Sequence, residues 1–354
     1  SMDGAYFCRF GAPNYRERKV TPLRMFLLDT TKIGKILVIS LSNVGDIVLT
    51  TPVISVLRQR FPESVLTVIV GPKGVPLLTG SRTIDRVVCF DKRASWIQMA
   101  RFVFELWKEK FDLVVDLRNT AIPLLIRPRY RTTMRVNRSQ ISMRSRHLAR
   151  LDSFFKVNGN LTNRFHFFTA DEKRNALQKV KEQSPSLLSD SLIVMAPGAG
   201  SSLKRLSISG FAQVANHLLQ AGKQVVLVGD QSEQDLGKEL KQNLLKPAVN
   251  LIGRLTLREV AGLLSEASLV VANDSAIMHL AHELERPTVS IFGPTNEHKY
   301  GQSGSERRTV RLHLDCTPCE QARCRLERRV CLDDLPASFV IQACEELLNH
   351  HATH

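Results

Sequence analysis

Asp46, Lys204, Asp274 and His279 are the side chains whose types and settings suit acid–base and phosphate chemistry. Asp46 follows the apolar run KILVIS (residues 35–40), at what would be the carboxyl edge of a strand. A carboxylate there either caps the next helix or takes a proton from an acceptor hydroxyl. Asp274 and His279 lie in residues 270–295, VVANDSAIMHLAHELERPTVSIFGPT. That stretch reads as a buried strand tip, a polar turn, a short helix, a proline stop, a second strand and a Gly-Pro turn. Asn273, Asp274 and Ser275 are all good N-cap residues, so the helix is expected to start at Ser275 or Ala276. Pro287 cannot continue it but can open the next strand. A strand feeding a helix presents unpaired N–H groups and the positive dipole end, a seat for a phosphate or diphosphate. His279 is then either a satisfied core histidine or a diphosphate donor.

A second phosphate-type element is the loop PGAGSS, residues 197–202. Gly198 lets the backbone approach an anion, and Ser201 and Ser202 can donate to it. No G-K-[ST] closes it, so it is not a Walker loop, and it lacks the G-x-G-x-x-G dinucleotide pattern. A nicotinamide dehydrogenase is thereby disfavoured. Lys204 and Arg205 follow, placing positive charge where an oxygen-rich leaving group would sit.

The elements that must position these groups form two similar series. Apolar strands are expected at residues 35–40, 65–70, 86–90 and 112–117, with helical spacing over 47–60. Residues 95–110 form an amphipathic helix, with Trp96, Met99, Val103 and Trp107 on one stripe and Arg101, Lys108 and Lys110 elsewhere. It either covers the sheet or lies on a membrane. A second alternation follows: strands at 192–195, 224–228 and 248–252, helices at 207–220, 233–243 and 257–265. The organisation expected is a basic extension (1–30), a first α/β domain (31–165), a linker (166–190), a second α/β domain (191–335) and a final helix (336–354) packing back on the first. Two α/β/α layers would then face each other across a cleft.

The net charge of +15 over 354 residues is uneven. Residues 1–170 hold 28 Lys and Arg against 12 Asp and Glu, and the remainder 21 against 22. Nine arginines and no acid lie from Arg118 to Arg150, a field suited to an anionic surface. No helix-turn-helix, RRM signature or zinc finger accompanies it, so no nucleic-acid partner is expected. Neither a signal-peptide h-region nor an apolar run of the ~18–20 residues that a span needs is present, so a cytoplasmic protein is expected. The seven cysteines do not read as a disulfide framework. Cys316, Cys319, Cys324 and Cys331 have spacing that can hold zinc or can leave free thiols ordering a loop, the latter favoured.

Taken in order, SNVGDIVLTTP (42–52), DLR (116–118), the glycine loop with Lys204-Arg205, VGDQSE (228–233), NDSAIMH (273–279), FGPT (292–295) and the cysteine cluster ending Cys331-Leu332 resemble one family. It is the ADP-heptose:lipopolysaccharide heptosyltransferases, glycosyltransferase family 9, and the resemblance spans about residues 35–345. It implies a GT-B fold of two Rossmann-like domains. It also implies an inverting transfer of heptose from ADP-heptose to a sugar hydroxyl of the lipopolysaccharide inner core, on a lipid A–Kdo acceptor. On that resemblance Asp46 matches the base and Lys204 the lysine beside the donor diphosphate. Asp274, Ser275, Ala276 and His279 match the sugar- and diphosphate-binding turn. Glu233 lies where an acid meets the ribose, and Leu255 where the base is sandwiched. Arg118, Arg127, Arg129 and Arg131 would grip the anionic glycolipid. The chain would act as a monomer, peripherally on the inner face of the cytoplasmic membrane, with no required cofactor. Ala276 replaces the family's usual glycine, and Leu206-Ser207 its usual Trp-Pro, which leaves a different nucleotide sugar, or a silent binding protein on the same fold, as alternatives.

Overall fold

The computed structural model describes residues 32–132, 142–157, 164–185 and 192–352. The expected basic extension and most of the Ser/Pro-rich part of the linker lie outside them. The first lobe runs β1 (Lys35–Ile39), α1 (Val44–Val48), α2 (Thr51–Arg60), β2 (Val65–Val70), α3 (Val75–Leu78), β3 (Arg86–Cys89), α4 (Trp96–Lys108), β4 (Leu113–Asp116), α5 (Ile122–Ile126), β5 (Tyr130–Arg131) and α6 (Met143–Leu148). Its strands pair in parallel in the order β3-β2-β1-β4-β5.

The second lobe opens with α7 (Ala170–Gln183), β6 (Leu192–Ala196), α8 (Ile208–Gln220), β7 (Gln224–Leu227), α9 (Gln234–Gln242) and β8 (Val249–Asn250). It continues through α10 (Leu257–Leu264), β9 (Leu269–Asn273), α11 (Ala276–Glu283), β10 (Thr288–Ile291), α12 (Glu297–Tyr300) and β11 (Arg307–Val310). Two helices close the chain, α13 (Val330–Asp333) and α14 (Ala337–Ala352). The parallel sheet has the order β11-β10-β9-β6-β7-β8. Each sheet therefore reverses its winding once, between β1 and β4 and between β6 and β9, as doubly wound nucleotide-binding folds do.

The continuous apolar strands are buried on both faces, as expected. Ile36 and Val38 point into one core while Leu37 and Ile39 point into another beneath α4 and α5. Successive strand side chains face opposite ways, so each sheet needs helices on both sides.

The expected single helix over 47–60 is two. Thr50 and Thr51 turn their hydroxyls back to the carbonyls of Ile47 (2.7 Å) and Val48 (2.8 Å), and Pro52 supplies no N–H, so α1 ends and α2 begins anew. Helix α1 also starts earlier than the sequence indicated, which puts Asp46 inside its first turn.

Two domain expectations are corrected. The helix assigned to the linker, α7, covers the second lobe: Gly262 of α10 lies so close that a Cβ there would meet the Lys173 backbone at 2.8 Å. The final helix α14 packs on the second lobe rather than the first. Its Val340, Ala343, Cys344 and Leu347 stripe closes the sheet face formed by Val271, Val289, Ile291 and Val310. Glu346 accepts from Arg308 Nε at 2.8 Å and Glu345 meets His217 at 2.9 Å, which fixes that docking at the polar rim.

The lobes meet through α1 against α11 and α3 against α10. The buried Arg258 donates to the Leu77 carbonyl across the interface (3.2 Å) while gripping Glu172 with two nitrogens at 2.6 and 2.9 Å. Arg144 of α6 makes a two-pronged pair with Glu283 of α11, at 2.7 and 3.3 Å. One of the nine arginines thus joins the lobes.

Candidate active site

Register decides which loops share a crevice. Ile39 lies beside Asp116, so the segments after β1 and β4 emerge together, carrying Asp46 and Arg118. Ala196 lies beside Ala272, so the glycine loop and the Asp274 turn emerge together. Packing of α1 on α11 brings these two carboxyl edges face to face. A Cβ on Gly45 would lie 3.1 Å from His279 Cδ2 and 3.7 Å from the Ala276 Cα, so this approach depends on the missing side chain.

Asp46 is half-buried there, and its carboxylate accepts from Asn43 Nδ2 at 3.1 Å. Across the interface the Lys204 ammonium lies 2.7 Å from Asp274 Oδ2 and 5.8 Å from the centre of the Tyr300 ring. Asp274 is buried while Lys204 remains partly exposed. The ammonium has three donors, so its carboxylate partner holds it in place without exhausting it.

Helix α11 starts at Ala276 with Ser275 as an extended N-cap whose hydroxyl makes no capping bond. Ser275 Oγ and, one turn on, His279 Nδ1 are buried without a partner. Thr295 Oγ1 is in the same condition on the turn after the neighbouring strand β10. An unpaired buried polar atom costs about 1–3 kcal/mol. Ser275 and His279 lie on the first turn of α11, where an oxygen-rich ligand would pair them. Burial pushes the His279 pKa down, and Lys204 reinforces this against the opposing fields of Asp274 and Asp46. His279 is therefore a neutral imidazole, its Nε2 3.8 Å from Asp274 Oδ1.

Asn273 does more than the cap reading allowed. Fully buried, it donates to the carbonyls of Pro197 (2.8 Å) and Gly198 (3.3 Å) and accepts from the Leu206 N–H (3.0 Å). It thereby ties the Asp274 turn to the glycine loop. Its place as the last residue of a central strand was the available signal.

Glu233 is buried against the same loop. It accepts from the Asp230 N–H at 3.0 Å and lies 3.5 Å from Arg205, which itself donates to the Ala199 carbonyl at 2.7 Å. Burial raises its pKa, Asp230 adds to this, and the hydrogen bond from Asp230 and the charge of Arg205 oppose it. A Cβ on Gly198 would fall 1.9 Å from Glu233 Oε1. Gly198→Ala is therefore expected to displace Glu233 and cost about 1–3 kcal/mol of stability. A calorimetric melt checks this, and restoration by adding Glu233→Ala would tie the loss to that one contact.

The remaining expected donor residues fall around this frame. Ser201 accepts from the Leu203 N–H at 3.3 Å, and Ser202 is exposed, its carbonyl bonded to Arg329. Leu255 is half-buried just before α10, against the core the lobes share. Leu206 turns away from the crevice into the core with Ile193, Met195 and Phe211, so that departure from the family pattern does not touch the ligand seat. Ala276 does sit at the seat, with its Cα facing Gly45.

The structure separates the four arginines. Arg118 follows β4 at the carboxyl edge, in a loop held by Asp116, which accepts from the N–H groups of Arg118 (2.8 Å) and Thr120 (2.6 Å). Arg127, Arg129 and Arg131 are not brought to the crevice. Helix α5 runs back across the sheet, and Tyr130 registers with Leu113, the first residue of β4, so these three gather near the amino edge. The sequence run showed their charge but not that a helix turns the chain round between them.

Cys316 and Cys324 are exposed, Cys319 and Cys331 half-buried, and all four are free thiols. Their loop is anchored through the N–H groups of Cys319 and Glu320, which donate to the Pro294 carbonyl at 3.0 and 2.8 Å. Among the described residues no group of three or more His, Cys, Asp or Glu side chains is arranged to hold a metal ion.

Three buried histidines give the fold a pH dependence. Burial, with Arg150 and Arg146 alongside, pushes His147 down to about 4 from 6.5, and His279 and His282 are lowered chiefly by burial. Neutral in the fold, they bind protons more readily once unfolded. Their stabilisation is complete above pH 6.5 and is lost as pH falls toward the folded pKa values. The His147 share alone is on the order of 3 kcal/mol between pH 6.5 and 4. Melting temperature should fall steadily over that interval, and His147→Phe should flatten the slope.

Residues 99–329 match the family described as glycosyltransferase family 9 (heptosyltransferase). The chain is 27% identical over 333 residues to lipopolysaccharide heptosyltransferase 3 of Escherichia coli K12, covering 87% of this chain and 96% of that one. Among solved structures it superimposes on a glycosyltransferase family 9 protein of Veillonella parvula with a TM-score of 0.75, at 21% identity, covering 90% of this chain and 97% of that one. The E. coli ADP-heptose lipopolysaccharide heptosyltransferase II gives a TM-score of 0.71 at 22% identity, covering 90% and 99%. With two doubly wound lobes meeting at their carboxyl edges and a family match across most of its length, this chain is a GT-B glycosyltransferase belonging to glycosyltransferase family 9, the heptosyltransferases.

Proposed function

We propose that the protein transfers a heptose from ADP-heptose to a sugar hydroxyl of the lipopolysaccharide inner core, with inversion at the anomeric carbon. The observation that carries this reading is the meeting of α1 and α11. It sets the Asp46 carboxylate on one side of a crevice and, on the other, Lys204 with the unpartnered Ser275 and His279 groups. The names borne by the E. coli relatives, lipopolysaccharide heptosyltransferase 3 and ADP-heptose heptosyltransferase II, support the donor and acceptor class.

In the proposed step Asp46 accepts the proton of the acceptor hydroxyl as its oxygen bonds to the anomeric carbon. The bond from that carbon to the diphosphate oxygen breaks on the opposite face, and its electron pair leaves with ADP. Lys204, His279 and the α11 N-terminus meet the charge that builds on the diphosphate. A helix end alone contributes only ~0.3–2 kcal/mol, so Lys204 carries the larger share. The chain's own groups serve each stage, and no resident cofactor is assigned a role. Glu233 and Asn273 hold the glycine loop in shape, and Arg118 receives the acceptor's anionic groups. The protein would work as a monomer on the cytoplasmic face of the inner membrane.

Incubation with ADP-heptose and a lipid A–Kdo acceptor lacking core heptose tests this, read as ADP release with a matching mass gain on the acceptor. Tight ADP-heptose binding without transfer would instead favour the silent binding protein, and release of ADP only from another sugar nucleotide would move the donor.

A further inference from the structure

The helix expected to cover the sheet does so with only part of its apolar surface. Phe102, Val103 and Leu106 of α4 face the first lobe, but Trp96, Ile97, Phe104 and Trp107 are 80%, 60%, 51% and 51% exposed. At 3.6 residues per turn these four fall within roughly a third of the helix circumference, beside the buried stripe rather than scattered. Phe104 and Trp107 stack with centroids 5.8 Å apart. The neighbouring helix α5 adds Leu124 and Leu125, 50% and 57% exposed, and a groove of about 420 Å³ lined by Trp107 and Ile126 lies between the two helices' ends.

Basic residues rim this apolar surface. Lys108 lies over the Phe104 ring at 4.4 Å, Arg101 borders the stripe, and Lys110, Arg127 and Arg129 stand at the amino edge of the sheet. Nearby acids are engaged: Glu105 pairs with Lys108 at 3.1 Å, and Glu109 with Lys35 and Arg86 at 3.2 and 2.8 Å. Arg101, Lys110, Arg127 and Arg129 have no carboxylate partner among the described residues. Exposed aromatics bordered by unpaired cations match the boundary between acyl chains and anionic headgroups. No helix among the described residues is long and apolar enough to cross a membrane, so contact would be by adsorption.

We infer that the outer face of α4 and α5 is the membrane-docking surface of this enzyme, its occupant a bilayer carrying anionic lipid. The inference rests on the peripheral-membrane reading above and assigns it a place. Helix α5 follows directly on the Arg118 loop, so the docked face adjoins the acceptor side of the crevice. Arg127 and Arg129, remote from the reaction centre, thereby acquire a role as headgroup contacts.

The chain has two tryptophans, Trp96 and Trp107, and both lie on this face, so its intrinsic fluorescence reads the surface directly. With empty phosphatidylethanolamine–phosphatidylglycerol vesicles the emission should shift to the blue, be quenched by bromine-labelled lipid, and do so weakly with phosphatidylcholine alone or in high salt. Trp96→Ser and Trp107→Ser should each weaken vesicle co-flotation about ten- to a hundredfold, as loss of one buried aromatic predicts, at unchanged melting temperature. Arg127→Glu with Arg129→Glu should remove the preference for anionic lipid. All four changes should spare transfer to a water-soluble, delipidated acceptor, which separates failure of docking from failure of the transferase reading. An emission maximum indifferent to anionic vesicles overturns the inference. So does a blue maximum in buffer that moves red when residues 1–31 are removed, which would make that segment the occupant. Concentration-dependent dimerisation abolished by Trp107→Ser would likewise assign the face to a second copy.

Discussion

Asp46→Asn is expected to lower turnover by about 10²–10⁴ while donor affinity stays near that of the unaltered chain. Asparagine preserves size and the hydrogen bond from Asn43, so the fold of α1 and its contact with α11 persist. What disappears is the capacity to take a proton. On the proposed reading the donor sits on the other lobe, at Lys204, the α11 N-terminus and the glycine loop, so binding of ADP-heptose should not register the change. Calorimetry for affinity and single-turnover rates for transfer separate the two. Turnover within a small factor of the original would remove Asp46 from the role of base and leave it a residue of the first helical turn.

Lys204→Ala is expected to loosen donor binding and lower turnover together, by about 10²–10³ in rate if the ammonium meets the leaving diphosphate. Its geometry also predicts a cost to the fold. Asp274 is buried and has Lys204 as a partner at 2.7 Å, so truncation leaves a carboxylate poorly compensated. A fully buried broken pair costs about 3–5 kcal/mol, and the partial exposure of Lys204 reduces this to the order of 1–3. Lys204→Ala with Asp274→Asn should recover most of the stability and none of the turnover. If the double variant recovered both, the pair would be a structural tie and the diphosphate would sit elsewhere. If Lys204→Ala changed neither, the crevice between the two switch points would not be the donor site.

Much of this architecture was legible in the chain. Strands such as 35–40 and 65–70 announce themselves because a strand covered on both faces must be apolar at every position. Helix starts at Ser207 and Thr256 follow from the need to satisfy unpaired N–H groups. Where the reading failed, a local side-chain bond or a tertiary contact had won. The helix over 47–60 broke because two threonines compete for its own carbonyls. The periodic stripe on α4 divides: Val103 packs against the core beneath the helix while Trp96 and Trp107 stay exposed, since a sheet covers less of a helix than periodicity alone implies.

By itself the sequence determined the two α/β layers, the turn chemistry after each strand and the residue types fit for proton and phosphate work. These are consequences of local spacing, and local spacing is all a linear chain displays. The tertiary structure alone decided which of those residues meet. Parallel register set Arg118 beside the Asp46 loop and left Arg127, Arg129 and Arg131 near the opposite edge, and α14 settled on the second sheet because its apolar stripe completes that core. Asn273 became a tie between loops, and Gly45 the point where the lobes touch, because such contacts join residues far apart in the chain and exist only once two sheets have folded and faced each other.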